Sequence, residues 1–227
     1  DNVPYIEYTV LRDNISDRFY WDSNENILLY LIAYLLGAIP FGLLLAKGFG
    51  GVDIRAAGSK SIGATNVLRV LKEQNPHKAR ILAIITLACD ALKAFLPLII
   101  AKYAINADYN VLWAMGVLAV IGHCYSPYLG FNGGKGVATG AGVMAFFLPV
   151  ELICALIAWY LTGKIFKISS LASLCALIVF LASSFILHYD LEPINTHAPL
   201  FIICFIILAK HSTNIARLIS GAEKKVI

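Results

Sequence analysis

Long apolar runs, separated by short polar stretches, dominate the pattern of the chain. The runs lie at residues 27–46, 81–103, 111–128, 137–160, 170–188 and 199–209. Inside the runs, apolar residues are nearly continuous and do not alternate with polar ones at a helix or strand period. A helix needs about 20 mostly apolar residues to cross the hydrocarbon core of a bilayer. The pattern therefore predicts an all-α fold of the polytopic integral membrane class.

The run at residues 137–160 is either one kinked span or two short spans that fold back near Pro149. Short cytoplasmic loops collect Lys and Arg. The polar connection at residues 47–80 contains seven such residues, so we expect it to be cytoplasmic and the N-terminus to lie outside. Only a break near Pro149 also brings the lysines of residues 161–169 and the basic C-terminal tail to that side. We therefore predict seven transmembrane helices joined by short cytoplasmic motif loops.

Composition agrees with this fold class and leaves little room for a separate soluble domain. Hydrophobic residues make up 59% of the chain and charged residues only 14%, against roughly 25% charged residues in soluble domains. The five cysteines lie mostly inside apolar runs and lack the spacing of disulfides or metal ligands. We predict no cofactor, no metal site and no obligate protein partner. Nucleic-acid binding is also not expected, because the basic residues have no continuous soluble face.

The polar and apolar segments divide the chain into three parts. Residues 1–26 are polar and acidic, which indicates an extracytoplasmic extension or an appended segment outside the fold. Residues 27–218 are predicted to form the seven-helix membrane domain, and residues 219–227 a short cytoplasmic tail.

A glycine-rich stretch at residues 130–140 lies between two apolar runs. Glycine lets backbone N–H groups approach a ligand closely, and such groups at the start of a helix, helped by Lys135, would bind an anion. The fit to a nucleotide-binding P-loop is poor, because Gly136 follows the lysine where Ser or Thr is required. Taken alone, the stretch is as compatible with an interfacial turn as with a phosphate site.

Two further polar clusters fall on the same predicted membrane face. Residues 58–69 combine glycines and hydroxyl groups with Arg69, whose planar guanidinium suits phosphate oxygens; the alternative is an ordinary polar loop. Residues 210–217 place His211 and Asn214 three positions apart, on nearly the same helix face; the alternative is a solvated helix end. Ser170 begins a span on this face, either as a ligand donor or as a cap.

Asp90, Lys93 and His123 are titratable residues inside predicted spans. Asp90 and Lys93 are three positions apart, and charges within a bilayer normally face the protein interior and pair with one another. We expect an internal ion pair rather than direct catalysis. For His123, near the cytoplasmic end of the third span, we expect a structural hydrogen bond rather than proton transfer.

Taken together and in this order, the motifs resemble those of one family, the bacterial acyl-phosphate-dependent glycerol-3-phosphate acyltransferases (PlsY). The resemblance extends over residues 27–218 and is carried by Gly58-Ser59, Gly63-Ala64-Thr65-Asn66, Arg69, Asp90-Ala91-Leu92-Lys93, Gly122-His123, Gly133-Gly134-Lys135-Gly136-Val137-Ala138-Thr139, His211, Asn214-Ile215 and Arg217. Two departures are visible. Lys60-Ser61 replaces the commoner Gly-Asn, which could alter hydrogen bonding near the phosphate. Ala94 replaces a usual glycine, which should only tighten helix packing.

The resemblance implies a role for each motif. The residues expected to act in catalysis are Lys135, His211, Asn214, Arg69 and Ser59. Those expected to bind substrate are Gly58, Ser59, Thr65, Asn66, Arg69, Gly133, Gly134, Lys135, Gly136, Ser170, His211 and Asn214. Phosphate groups are assigned to Ser59, Arg69 and Lys135. The acceptor for the hydroxyl proton stays open between His211 and the bound phosphate itself.

The resemblance also implies the reaction and its location. A fatty acyl group would pass from acyl phosphate to the sn-1 hydroxyl of glycerol 3-phosphate, giving lysophosphatidic acid and phosphate. The active site would face the cytoplasm from the bacterial inner membrane, in contact with membrane lipid. The alternative is a small transporter or channel for an anionic solute. Transporters concentrate polar groups at the bilayer midplane, whereas this chain places its motifs on one face.

Overall fold

The computed structural model describes residues 26–225, and within this range all regular structure is helical. The predicted extension, residues 1–26, therefore lies outside the described residues except for its last position. The helices are α1 (residues 26–37), α2 (Phe41–Gly50), α3 (Ala64–Leu71), α4 (Pro76–Tyr103), α5 (Tyr109–Cys124), α6 (Val137–Phe147), α7 (Pro149–Phe166), α8 (Ser169–Leu187), α9 (Ala198–Lys210) and α10 (Ser212–Ile219), with a 3₁₀ turn at Pro127–Leu129.

Several of these helices are long and apolar enough to cross a membrane. In the described part of the chain they are Asn26–Gly50, Pro76–Tyr103, Tyr109–Leu129, Pro149–Phe166 and Ser169–Leu187. A sixth span results if α9 and α10, which are bent by 58°, are taken together. Helix α6 has 11 residues and is about 16 Å long, well short of a hydrocarbon core of about 30 Å. The all-α polytopic membrane class is confirmed, and the count of seven spans stays a prediction.

Two helix breaks are present, and the second is the predicted break near Pro149. The first span is interrupted at residues 38–40, directly before α2, and α6 ends at Phe147 while α7 begins at Pro149. Proline suits the first position of a helix because its missing N–H needs no partner there. The first break also leaves two backbone carbonyls outside a helix ladder. Ala38 O accepts from Ser126 Oγ at 2.7 Å, and Ile39 O accepts from Lys93 Nζ at 2.8 Å.

Close helix crossings depend on small residues. A Cβ atom on Gly122 of α5 would overlap the Tyr34 carbonyl of α1, and one on Gly142 of α6 would overlap the Ala91 carbonyl of α4. Within a bilayer, association relies on van der Waals packing between closely approaching backbones rather than on the hydrophobic effect. The α1–α5 and α4–α6 crossings are therefore in direct backbone contact at these glycines.

The polar connection at residues 47–80 is an ordered cover at one end of the bundle. Its helix α3 buries Val67 and Leu71 in an apolar cluster with residues of α2 and α4. The opposite face of α3 carries Arg69. The loops that precede α3, α6 and α8 and the segment that follows α9 all meet at this end, which we call the motif end.

Candidate active site

A cavity of about 570 Å³ opens at the motif end and joins all three polar clusters found in the sequence. Its volume lies in the range of small-molecule sites. The polar residues predicted from the sequence that line it are Gly58, Ser59, Thr65, Asn66, Arg69, Lys135, Gly136, Ser170, His211 and Asn214. The structure thus brings together segments that are far apart in the chain.

The cluster at residues 58–69 is folded around the side chain of Asn66, which is 1% exposed. Its Oδ1 accepts from the Ser59 N–H at 2.8 Å, while its Nδ2 donates to the carbonyls of Ile54 at 2.9 Å and Ser61 at 2.8 Å. The amide is therefore occupied by the loop itself. It fixes the backbone of Ser59 at the cavity wall. Asn66 itself lies about one turn of α3 before Arg69.

Two positions in this loop need left-handed backbone. Gly58 has φ +62°, and a Cβ atom there would overlap Asn66 Oδ1, so only glycine fits. Lys60 has φ +59°, a conformation that costs a residue with a side chain roughly 1–2 kcal/mol. The replacement of the commoner Gly by Lys60 therefore raises the conformational cost of the backbone at this position. Hydrogen bonding at the next residue is kept, because the Ser61 carbonyl accepts from Asn66 Nδ2.

Thr65 and Ser170 connect this cluster to α8 and to the C-terminal segment. The hydroxyl groups of Thr65 and Ser169 are 3.1 Å apart, which links the start of α3 to the start of α8. Ser170 is the next residue of α8, is buried, and donates from Oγ to the carboxylate of Glu223 at 2.7 Å.

The glycine stretch begins helix α6 at the cavity wall. Gly136 has φ +85° and precedes Val137, and no side chain caps the first turn of α6. Val137 and Ala138 both line the cavity next to Lys135. The free N–H groups of a first helical turn, the positive end of the helix dipole and a lysine together favour an anion.

Gly133 and Gly134 do not line the cavity, although both were predicted to bind substrate. They lie behind its wall, where their N–H groups donate to the carbonyls of Cys124 at 3.1 Å and His123 at 2.9 Å. A Cβ atom on Gly134 would overlap the imidazole of His123. These two glycines therefore let the loop pack tightly on α5, which sets the position of Lys135.

The bend between α9 and α10 turns His211 and Asn214 toward the cavity, and both side chains are almost fully buried. His211 Nδ1 is 2.8 Å from the Ile207 carbonyl. A carbonyl can only accept, so Nδ1 carries the proton, and Nε2 of the neutral ring is left as an acceptor. Asn214 Nδ2 donates to Glu223 at 2.6 Å, and its buried Oδ1 has no partner among the described residues.

Glu223 is a cavity residue that the sequence did not single out. Its Oε1 accepts from Ser170 and Asn214, and its Oε2 accepts from Arg217 Nε at 2.6 Å. Glu223 lies in the segment predicted to be a short cytoplasmic tail, residues 219–227. The only signal in the sequence was a lone acidic residue beside basic ones, which is common in polar tails.

The predicted ion pair between Asp90 and Lys93 is present. Lys93 Nζ lies 2.8 Å from Asp90 Oδ1, and each side chain is 3% exposed. Asp90 and His123 also line the cavity below the glycine stretch. A nearly fully buried charge pair therefore borders the site.

Similarity to known proteins decides the family. The model of the glycerol-3-phosphate acyltransferase family matches residues 27–221. The chain belongs to this family.

Similar proteins and structures agree with this membership. A glycerol-3-phosphate acyltransferase of Campylobacter lari is 64% identical over 203 residues, which are 89% of this chain and 100% of the relative. One of Sulfurimonas denitrificans is 56% identical over 90% of this chain and 98% of its own length. The fold is similar to crystal structures of PlsY, an integral membrane glycerol 3-phosphate acyltransferase, at 34% identity over 88% of this chain and 95% of theirs. The TM-score is 0.77 for the glycerol 3-phosphate form and 0.74 for the lysophosphatidic acid form.

Charge at the motif end of this acyltransferase is concentrated on a few buried or half-buried groups. Burial lowers the pKa of Lys135 to about 8; Glu223 opposes this shift, and Arg217 and Arg69 add to it. Burial raises the pKa of Glu223, but the hydrogen bonds from Ser170, Arg217 and Asn214 outweigh it and leave the pKa below its ordinary value. The cavity lining contains more cations than carboxylates, an excess of positive charge that suits anionic ligands: Lys60, Arg69, Lys135, Arg217 and Lys224 against Asp90 and Glu223.

Proposed function

We propose that the protein transfers a fatty acyl group from an acyl phosphate to the sn-1 hydroxyl of glycerol 3-phosphate, giving lysophosphatidic acid and phosphate. The observation that carries this proposal is the shape and polarity of the cavity. Its motif end is cationic, while the remaining wall between α6 and α9 is apolar. A ligand with a phosphate head and a hydrocarbon tail matches both parts.

The apolar part of the cavity extends away from the cationic motif end, as the chain of a bound lipid would. On each of α6 to α9, the lining residue farthest from the motif end is apolar: Met144, Leu152, Phe180 and Ile203. Phe180 lies ten residues beyond Ser170 on α8, a distance of about 15 Å along the helix. Three apolar residues that line the cavity are also about half exposed on the outer surface, namely Leu87, Leu156 and Trp159. We infer that the acyl chain enters from the bilayer between α4 and α7.

The chemistry requires little from the protein beyond charge and positioning. In the proposed step the sn-1 oxygen attacks the carbonyl carbon, the bond from that carbon to the phosphate oxygen breaks, and phosphate leaves. Acyl phosphate is already activated, so no nucleophilic side chain is needed. The developing negative charge is stabilised by fixed donors, and we assign this role to Lys135 and the first N–H groups of α6. Arg69 and the Ser59 hydroxyl hold phosphate oxygens.

The third cluster is proposed to orient glycerol 3-phosphate. His211 Nε2 is an acceptor because the Ile207 carbonyl fixes the proton on Nδ1. We therefore propose that Nε2 accepts the proton of the sn-1 hydroxyl. The Oδ1 of Asn214 is a buried acceptor without a partner among the described residues and is suited to a second hydroxyl. Glu223 fixes this orientation of the amide, because a carboxylate can only accept a hydrogen bond.

The proposed location follows from the same charge distribution. Basic residues are concentrated in the segments at the motif end, at residues 47–80, 164–167 and 210–225, and such segments stay in the cytoplasm. We propose that the active site faces the cytoplasm from the bacterial inner membrane and that the N-terminus lies outside. We also propose that the functional unit, predicted as residues 27–218, continues into the tail far enough to include Glu223.

The pH dependence of the reaction is a first prediction. Lys135 is cationic below a pKa of about 8 and neutral above it, so kcat/KM for glycerol 3-phosphate should fall as the pH rises from 7 to 9. The substrate phosphate is already a dianion in this range, since its second pKa is about 6. Arginine keeps its proton, and Lys135→Arg should move the decline to higher pH. If kcat/KM of the arginine variant declined at the same pH as that of the wild type, the decline would be due to a group other than Lys135.

The proposed function is tested with purified protein, radiolabelled glycerol 3-phosphate and palmitoyl phosphate. We expect labelled lysophosphatidic acid with palmitoyl phosphate and none with palmitoyl-CoA at the same concentration. Product formed from palmitoyl-CoA alone would contradict the donor assignment. Flux of labelled solute across liposome membranes, without any acylated product, would favour the transporter alternative.

A further inference from the structure

The buried ammonium group of Lys93 has a complete set of partners. Its Nζ lies 2.8 Å from Asp90 Oδ1, 2.8 Å from the Ile39 carbonyl oxygen and 2.8 Å from His123 Nδ1. An ammonium group has three protons and no lone pair, and a carbonyl or carboxylate oxygen can only accept. Each proton therefore has one acceptor, and one of them is donated to His123 Nδ1.

This contact determines the tautomer of His123. Because Nδ1 accepts from Lys93, the proton of the neutral imidazole is on Nε2. The ring is 3% exposed and lines the cavity. No partner for Nε2 occurs among residues 26–225, whereas Nδ1 is fully engaged. The structure therefore holds an N–H donor on a nearly fully buried ring at the cavity wall, with the Lys93 ammonium group on the opposite side of the ring.

The donor lies next to the proposed anion site. His123 Nε2 is the atom that a Cβ on Gly134 would overlap, and Gly134 immediately precedes Lys135. The absence of a side chain at Gly134 lets the imidazole reach the backbone that carries Lys135. The same wall contains the uncapped first turn of α6. Lys135, the first residues of α6 and His123 thus all line the same cavity.

We propose that His123 donates a hydrogen bond from Nε2 to an anionic oxygen of the bound acyl phosphate, and that Lys93 and Asp90 are positioning residues for this donor. The proposal rests on the proposed function. A hydrogen bond to an anionic oxygen is about twice as strong as a neutral one, and a preorganised donor in a buried site needs no reorganisation during the reaction. His123 and His211 then present opposite ring tautomers to the cavity, one as a donor and the other as an acceptor.

A matched pair of substitutions separates this role from simple packing. The Oδ1 of asparagine in His123→Asn can replace Nδ1 as the acceptor for Lys93, but nothing replaces the Nε2 donor. The longer amide of His123→Gln can return an N–H group to that region. We expect His123→Asn to stay folded, with kcat/KM for palmitoyl phosphate reduced at least tenfold, and His123→Gln to retain more activity. Folded His123→Asn with near-normal kcat/KM would overturn the proposal.

A second measurement does not depend on acyl transfer. In protein labelled with ¹⁵N at histidine, the His123 signals should show a protonated Nε2 and an unprotonated Nδ1, and inorganic phosphate should shift the Nε2–H signal. Protonation at Nδ1, or no shift at saturating phosphate, would overturn the proposal for His123. If the wild-type protein makes no lysophosphatidic acid from palmitoyl phosphate, the proposed function fails instead, and the two failures are distinguishable.

Discussion

Lys135→Ala is expected to reduce turnover of acyl phosphate and glycerol 3-phosphate by about 100-fold or more, with the protein still folded. Loss of one preorganised donor to a developing oxyanion costs about 10²–10³ in kcat, and the alanine variant also loses a cation that faces two anionic substrates. The backbone around Lys135 is held by Gly133, Gly134 and the start of α6, so the substitution should leave the fold intact. Initial rates and the thermal unfolding midpoint in detergent measure the two parts separately.

The control for net charge is Lys72→Ala. Lys72 follows α3 at the same end of the bundle, is exposed and does not line the cavity. This variant should retain nearly full activity. If Lys135→Ala were as active as Lys72→Ala, then Lys135 would serve the orientation of the chain in the membrane and not the reaction.

Lys93→Met should lower the free energy of unfolding by about 3–5 kcal/mol, the usual cost of leaving one partner of a buried ion pair uncompensated. Asp90 is 2% exposed and would lose the cation that lies 2.8 Å from its Oδ1, and the Ile39 carbonyl would lose the donor that it gains at the break of the first span. Thermal and denaturant unfolding of the purified protein measure this change. Unfolding at the wild-type midpoint would show that the pair contributes nothing to stability.

The double variant Asp90→Leu with Lys93→Met separates stability from catalysis. Replacement of a whole buried pair by apolar residues is often neutral for stability or even favourable, so unfolding should return toward the wild-type value. Activity should stay low, because His123 then lacks the donor that fixes its tautomer. Recovery of both stability and activity would indicate that Lys93 and Asp90 serve packing alone.

Much of the fold could be predicted because it depends on local rules. Apolar runs of sufficient length indicated membrane helices, and Pro149 marked a break that the structure contains. The gathering of the three clusters at one end followed from the distribution of Lys and Arg. The number of complete crossings could not be derived, since α6 is too short to span the bilayer by length alone and its depth depends on packing against α4.

The details of the site depend on contacts between distant segments and could not be predicted. Asn66 was predicted to contact substrate, but its amide groups are used within the loop. Glu223 reaches the cavity only because the chain turns back after α10. The donor role of His123 depends on Lys93, whose third partner is a carbonyl exposed by a helix break in α1–α2. No spacing within a single motif contains this information.

The most direct test of the account is the stoichiometry of the reaction. Reconstituted protein is supplied with palmitoyl [³²P]phosphate and tritiated glycerol 3-phosphate, and released phosphate and lysophosphatidic acid are counted together. Direct transfer at one site predicts equal amounts of the two products, and almost no phosphate release when glycerol 3-phosphate is omitted. Phosphate released in full without the acceptor, or lysophosphatidic acid formed without phosphate release, would contradict it.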